Sequence, residues 1–430
     1  MRFLIVLICL FGLLLGQAGK SAYASEVARL VSLAQSGDVA EAAALRDALA
    51  ARGELSNDTG AFIDAMLLQR SGDLEGAEQR LRALLDAAPE ARRVRFELVR
   101  VLFSRGRYTA ARFHLDLLKE SEPDPRLLGV YQALDNEITR RRPWDASLSL
   151  AVAPKTNANG GASGETIIVN GLPFRINDDS RAAADTGVDF DAVLARRFVL
   201  TDRHTIVARG FARGTAYRNK RYGSQEAGLG SFLRTRFGPR TFLDAGIDTS
   251  ALIYEHRPNA WLFSPHLSGQ IGLSNGWSFS GGVQASHVDF DAPGRDDGWR
   301  GSVSAGLRYT PDASRSLSAR LAARMDRSGA DHEQYDGVDL SVSMFRTLPA
   351  EIDATLSGSI GKRDYRGPFP LLGFEREDRF ASAALSLTKK DWSVQGFAPT
   401  LTLSWQGQDS NVAFYQSGGL GASLGLSRSF

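Results

Sequence analysis

The chain predicts an α + β multidomain protein, with an N-terminal α-helical repeat followed by an antiparallel transmembrane β-barrel of about fourteen strands. Three observations lead there. Residues 25–141 are rich in Ala, Leu, Arg and Glu, with apolar positions at helical spacing. From residue 144 to residue 430 the apolar period drops to two, the signature of strands with one apolar face. The 43 glycines exceed the usual share of about 7 %, as suits a turn-rich β chain.

Composition removes several functions. Lys and Arg number 51 against 49 Asp and Glu, a formal charge of +2, so no basic excess is available to neutralise phosphates and no nucleic-acid partner is expected. Hydrophobic residues at 43 % and charged residues at 23 % exclude a wholly disordered chain. Cys9 is the sole cysteine, which excludes a disulfide framework and a cysteine zinc site.

The first segment reads as a leader. Arg2 precedes an apolar run over residues 3–15, and Ala22-Tyr23-Ala24 supplies an A-x-A ending. This predicts a secretory signal peptide over residues 1–24, cleaved before Ser25. The run is shorter than the ~20 residues a spanning helix needs. No later stretch is apolar enough, so any membrane crossing must be made by strands.

Residues 25–141 form the second predicted domain. Gly72, Ala77 and Pro89 recur as Gly106, Ala111 and Pro123, each 34 residues on, and Leu68 and Leu81 recur as Leu102 and Leu115. Glycine ends a first helix, alanine lets a second approach closely, and proline stops it. The pattern resembles the tetratricopeptide repeat. Ser36-Gly37-Asp38 echoes Ser71-Gly72-Asp73, which marks an earlier, degenerate unit, and the helix through Tyr131 and Leu134 serves as a cap. Arg93, Phe96 and Arg100 fall on the inner helix of the better repeat and are the candidate substrate contacts.

Residues 142–430 form the barrel. Leu317, Ala319, Leu321, Ala323 and Met325 alternate with Ser318, Arg320, Ala322 and Arg324. Trp299, Val303, Ala305 and Leu307 likewise face away from Arg300, Ser302, Ser304 and Arg308. An arginine at a lipid-facing midplane costs roughly 2–4 kcal/mol, so Arg300, Arg308, Arg320 and Arg324 are expected in a wet lumen. Short linkers at 200–202, 238–239, 274–276, 310–312, 348–350 and 389–391 alternate with longer ones, among them 154–181, 250–259 and 363–379. That asymmetry is the habit of outer-membrane barrels. Phe430, after alternating Ala422, Leu424 and Leu426, looks like the terminal signal read by barrel-insertion machinery. Trp144, Trp261, Trp277, Trp299 and Trp405 suit interfacial girdles. Within the long loop, Ile167-Ile168-Val169 and Gly171 suggest a small hairpin.

Catalytic chemistry is not indicated. Histidines lack metal-ligand spacing, and Gly421-Ala422-Ser423-Leu424-Gly425 matches the nucleophile elbow only as a string, inside the last strand. His266, His287 and Asp289 are the residues from which a rim catalytic group would have to be built. No enzyme activity, cofactor or metal is expected.

Leader, short helical repeat and barrel, in that order, resemble the surface lipoprotein assembly modulator family. The resemblance is sharpest where Arg141-Arg142-Pro143-Trp144 enters the first strand, and where Asn157-Ala158-Asn159 follows it, similar to the family's Asn-x-Asn signature. It implies a protein of the cell outer membrane with its N-terminal domain in the periplasm. Such a translocator would carry client surface lipoproteins or related secreted proteins outward and rely on the outer-membrane barrel-insertion machinery for its own assembly. Two other functions fit the same domain order: an exopolysaccharide export barrel, and a porin or adhesin.

Overall fold

The computed structural model describes residues 18–122, 124–169, 171–255, 257–273, 276–291, 295–312, 314–350, 352–370, 372–390, 392 and 397–429. Residues 1–17 of the expected leader, Pro123 of the repeat, the turn residues Ser274, Asn275 and Asp391, and the terminal Phe430 lie outside the described residues. Among the described residues seven helices come first: α1 (Ala18–Ser36), α2 (Val39–Ala51), α3 (Asn57–Ser71), α4 (Leu74–Ala87), α5 (Arg92–Ser104), α6 (Tyr108–Ser121) and α7 (Pro125–Arg141). The chain divides into two compact units, one ending at Leu118 and one running from Lys119 to Phe430, so that α7 groups with the barrel.

The repeat logic holds in the helical unit. Gly72 ends α3 with φ +90, and Gly106 follows α5 with φ +72, a region where a side chain would be strained. Asp73 then caps α4 by accepting from the Gly76 amide at 2.9 Å. Ala77 and Ala111 are fully buried at the matching helix crossings, with Leu81, Leu102 and Leu115 beside them in the core.

Glu78 is buried one residue after Ala77. It accepts from Arg82 at 2.9 Å and Arg105 at 2.6 Å, and from Arg107 as well. Burial alone would raise its carboxyl pKa, but hydrogen bonding and charge from Arg82, together with Arg107, hold it below the ordinary glutamate range.

Sixteen strands follow among the described residues. Fourteen form the barrel: β1 (Trp144–Lys155), β4 (Asp185–Val199), β5 (His204–Tyr217), β6 (Gln225–Gly238), β7 (Thr241–Tyr254), β8 (Arg257–Gly272), β9 (Trp277–Phe290), β10 (Gly298–Asp312), β11 (Arg315–Arg327), β12 (Tyr335–Leu348), β13 (Ile352–Pro368), β14 (Glu375–Lys389), β15 (Ala398–Ser410) and β16 (Ser417–Ser429). Each pairs antiparallel with its neighbour, and β16 closes onto β1. The remaining two, β2 (Thr166–Val169) and β3 (Leu172–Arg175), make the small hairpin, turning at Gly171 with φ +80.

Barrel strands run from 12 residues in β1 to 17 in β13. A tilted crossing needs about 9–11, so the strands project beyond the hydrocarbon. Val303, Leu307, Leu317, Leu321 and Met325 are all solvent-exposed on the outer face. Such a belt is stable against lipid, not water. Trp144 and Trp277 stand at strand ends on the side where β1 begins, the near end, and Trp261 and Trp299 lie toward the far end, all exposed.

Two linkers expected to be long are shorter. The 250–259 stretch is strand up to Tyr254 and again from Arg257. Pro258 is tolerated there because the β7–β8 register shifts between Leu252 and Ile253, sparing the ladder an amide. The 363–379 linker shrinks to 369–374 as β13 and β14 extend into it.

Replacing Glu78 with Gln should lower the stability of the helical unit by about 1–3 kcal/mol at neutral pH, read as helical circular dichroism during thermal unfolding of the full chain in detergent. The folded Glu78 pKa lies below its unfolded value, so its stabilisation is complete above the ordinary glutamate range and is lost as pH falls through the lowered value. The Gln variant should therefore show a flatter acid limb than the parent.

Candidate functional site

The inner face of the barrel is built from charged residues at the alternate strand positions. Arg234 of β6 opposes Asp244 of β7 and donates to it twice, at 2.8 and 2.7 Å. Arg209 of β5 reaches past β6 to Asp248 of β7, with bonds of 3.2 and 2.7 Å. That reach passes over Gly230, where a Cβ would lie 1.8 Å from Asp248 Oδ1. A bond between next-nearest strands needs a concave surface with a gap in it, and glycine makes the gap. His266 Nδ1 stands 3.4 Å from the same Asp248. With Arg320 these residues line a polar recess of about 340 Å³.

The arginines singled out from the sequence share this pairing chemistry. Arg300 Nε donates to Asp326 at 2.8 Å, Arg320 Nη2 to Ser304 Oγ at 2.8 Å, and Arg324 lies 3.2 Å from Asp339. Arg308 is engaged at the near end, where Nη1 donates to Glu120 at 3.2 Å. In the helical unit, Arg93 and Arg100 flank buried Glu97 at 3.6 and 2.9 Å, and Phe96 is half-buried. His266 lies on the inner face. His287 packs edge-on against outward Trp299 at 5.1 Å, so the barrel does not bring the histidines together. Gly421–Gly425 sits within β16, without the helix that a nucleophile elbow requires.

At the far end, the long β1–β4 connection is braced by two asparagines. Asn157 donates to Gly161 O at 2.9 Å and Gly418 O at 3.2 Å, and accepts from the Gly161 amide at 2.9 Å. Asn159 donates to Arg181 O at 2.7 Å and accepts from the Ala183 amide at 3.0 Å. Two residues thus tie the loop's start to its finish and to β16. Two strands along the wall from β16, Asp378 of β14 is fully buried and accepts from Arg376 at 2.9 Å and Gln408 at 3.1 Å. The Arg376 guanidinium stacks 3.2 Å from the Tyr415 ring centre, and Phe369 packs between Tyr415 and His332.

Sequence parity missed Asp244 and Asp248. Both sit at the polar parity of an otherwise apolar β7, a visible signal once arginines are sought at the same parity on neighbouring strands.

A family model described as surface lipoprotein assembly modifier matches residues 144–430, the entire barrel. The chain belongs to that family. A tetratricopeptide repeat model matches residues 68–134. A relative from Neisseria meningitidis serogroup B, surface lipoprotein assembly modifier 1, is 22 % identical over 364 residues, covering 82 % of this chain and 72 % of the relative. A hemophilin secretion modulator from Acinetobacter baumannii is 26 % identical over 173 residues, 36 % of this chain and 35 % of that protein. The anion-selective porin of Comamonas acidovorans superposes with a TM-score of 0.38 at 9 % identity, over 67 % of this chain and 98 % of the porin. As a family member with a closed barrel and an apolar outer belt, this is a protein of the cell outer membrane.

Filling the gap at Gly230 with Val should displace Asp248 from Arg209 and lower the temperature at which the folded barrel unfolds in heat-modifiability gels. Gly281, whose nearest neighbour to a new Cβ is 3.7 Å away, should accept Ala with no shift.

Proposed function

We propose that this chain is an outer-membrane translocator that delivers particular lipoproteins, or related secreted proteins, from the periplasm to the cell surface. The family match over the whole barrel carries this reading, with the helical repeat joined to that barrel in the same chain supporting it. In this reading residues 1–24 are removed on export, and residues 25–141 work in the periplasm. Arg93, Phe96 and Arg100 contact the client. Arg300, Arg320 and Arg324 line the wet passage and Arg308 guards its entrance. Phe430 is the signal by which barrel-insertion machinery recognises the chain. The names of the family and of the two relatives describe modifiers of assembly and secretion, which favours transport over catalysis.

The junction of β1 with β16 is the proposed route for strands of a client. Among the described residues β1 is paired with β4 along its full length, Trp144 to Lys155, and with β16 over Ser147–Val152 and at Lys155. Pro154 offers no amide to the ladder there.

Deleting the gene should remove a small set of lipoproteins or secreted proteins from the cell surface, scored by surface proteomics, and the full-length gene should restore them. A chain lacking residues 25–118 should still insert as a heat-modifiable barrel yet fail to restore the set. An unchanged surface proteome in the deletion strain would overturn the reading. Cysteines placed at Val152 and Leu424, facing partners across the seam, should block delivery when oxidised and permit it when reduced.

A further inference from the structure

The segment from Lys119 to Arg141 belongs to the same compact unit as the barrel and is fastened to the near mouth at both ends. Glu120 accepts from Arg308 Nη1 at 3.2 Å and from Thr310 Oγ1 at 3.4 Å, both on β10, and its carbonyl accepts from Arg240 Nη1 at 3.3 Å. Midway along α7, Arg236 of β6 donates to Asn136 Oδ1 at 3.2 Å and to Asp135 Oδ2 at 3.4 Å. Lys119 Nζ donates to the same Asp135 oxygen at 3.2 Å. At the other end, the carbonyl of Pro143 accepts from the Arg197 amide of β4 at 2.8 Å, and Arg197 pairs with Asp145 at 2.8 Å.

These anchors are spread widely around the ring. β4 and β10 stand six steps apart in a closed order of fourteen, close to diametrically opposite. Arg308 and Thr310 share strand parity with inner-face Arg300, while Leu307 is exposed outside, and Arg236 shares parity with inner-face Arg234. The donors therefore point inward, and a chain segment that meets them crosses the opening.

We infer that the Lys119–Arg141 segment is a strap across the near mouth, held shut by Glu120 on Arg308 and Thr310 and by Asp135 and Asn136 on Arg236, and that it must detach at one end before anything wide enters the barrel. The Arg236–Asp135 pair is buried, so breaking it strands a charge, while the more exposed Glu120–Arg308 pair is the weaker catch and the one that releases first. A client or partner that competes for Arg236 or Arg308 would release it.

Conductance of the full chain in planar bilayers in KCl tests this. The parent should show little steady conductance. Glu120→Arg and Arg308→Glu should each raise it several-fold, and the double reversal Glu120→Arg with Arg308→Glu should return it to the parental level. Heat-modifiability confirms that each variant is folded. As an independent arm, Asn136→Cys and Arg236→Cys in the Glu120→Arg background, joined by a short bis-maleimide, should lose the added conductance. A parent that already conducts as much as the reversals, singles that leave conductance unchanged, or a joined chain that stays open would each overturn the strap. None of those results would touch the surface-proteome test of the export reading.

Discussion

A strand passing through hydrocarbon can leave no backbone amide or carbonyl unpaired, and the unbroken circle from β1 through β4 to β16 answers that requirement. Closure has a second effect. Strand alternation then gives every residue one of two environments, lipid or interior, with nothing between. The leucine, valine and tryptophan belt follows from the first, and the arginine–aspartate pairs from the second. A sandwich of the same strands would have to bury Arg209 and Arg234 in an apolar core.

Inside the wall, charge is matched nearly residue for residue. Asp244, Asp248, Asp326 and Asp339 each sit within bonding distance of an arginine from another strand. Three of these pairs link strands also joined by a ladder and the Arg209–Asp248 pair spans the strand between, so they stiffen the wall and leave a surface of exposed guanidinium edges and hydroxyls. At the two ends the chemistry differs. The far loops are fixed by asparagine side chains that stand in for missing backbone partners, and by an arginine stacked on tyrosine. The near end is met by acidic side chains from helices.

Much of this was legible as periodicity. The 34-residue recurrence located Gly72, Ala77, Gly106 and Ala111 in the roles they play, and the step from a period of 3.6 to one of two marked Trp144 as the start of the barrel. The hairpin at Gly171 was readable from one glycine after a β-branched run. What escaped was which side chains meet across the strands. Parity assigns Asp248 to a face, but its partner two strands away is set by barrel curvature and by the bare backbone of Gly230. Arg308 read as a free lumen residue because nothing in its own strand points to Glu120, far earlier in the chain. The 250–259 linker read as longer than it is for a similar reason, since the register shift that admits Pro258 to β8 depends on the neighbouring strand.

The junction of β1 with β16 also bears on how the molecule comes into being. Every other junction in the ring links strands adjacent in sequence or joined by the one long loop, and each can form soon after its second strand is available. Leu150 meets Leu426 only when the whole wall exists. That contact has the greatest chain separation, so its loop-closure entropy makes it the slowest to gain. Until it forms, β1 is paired on one side by β4 and β16 on one side by β15, and the other side of each is open. The nascent barrel thus waits as an open sheet with two free edges, β1 at one and the carboxyl-terminal strand at the other.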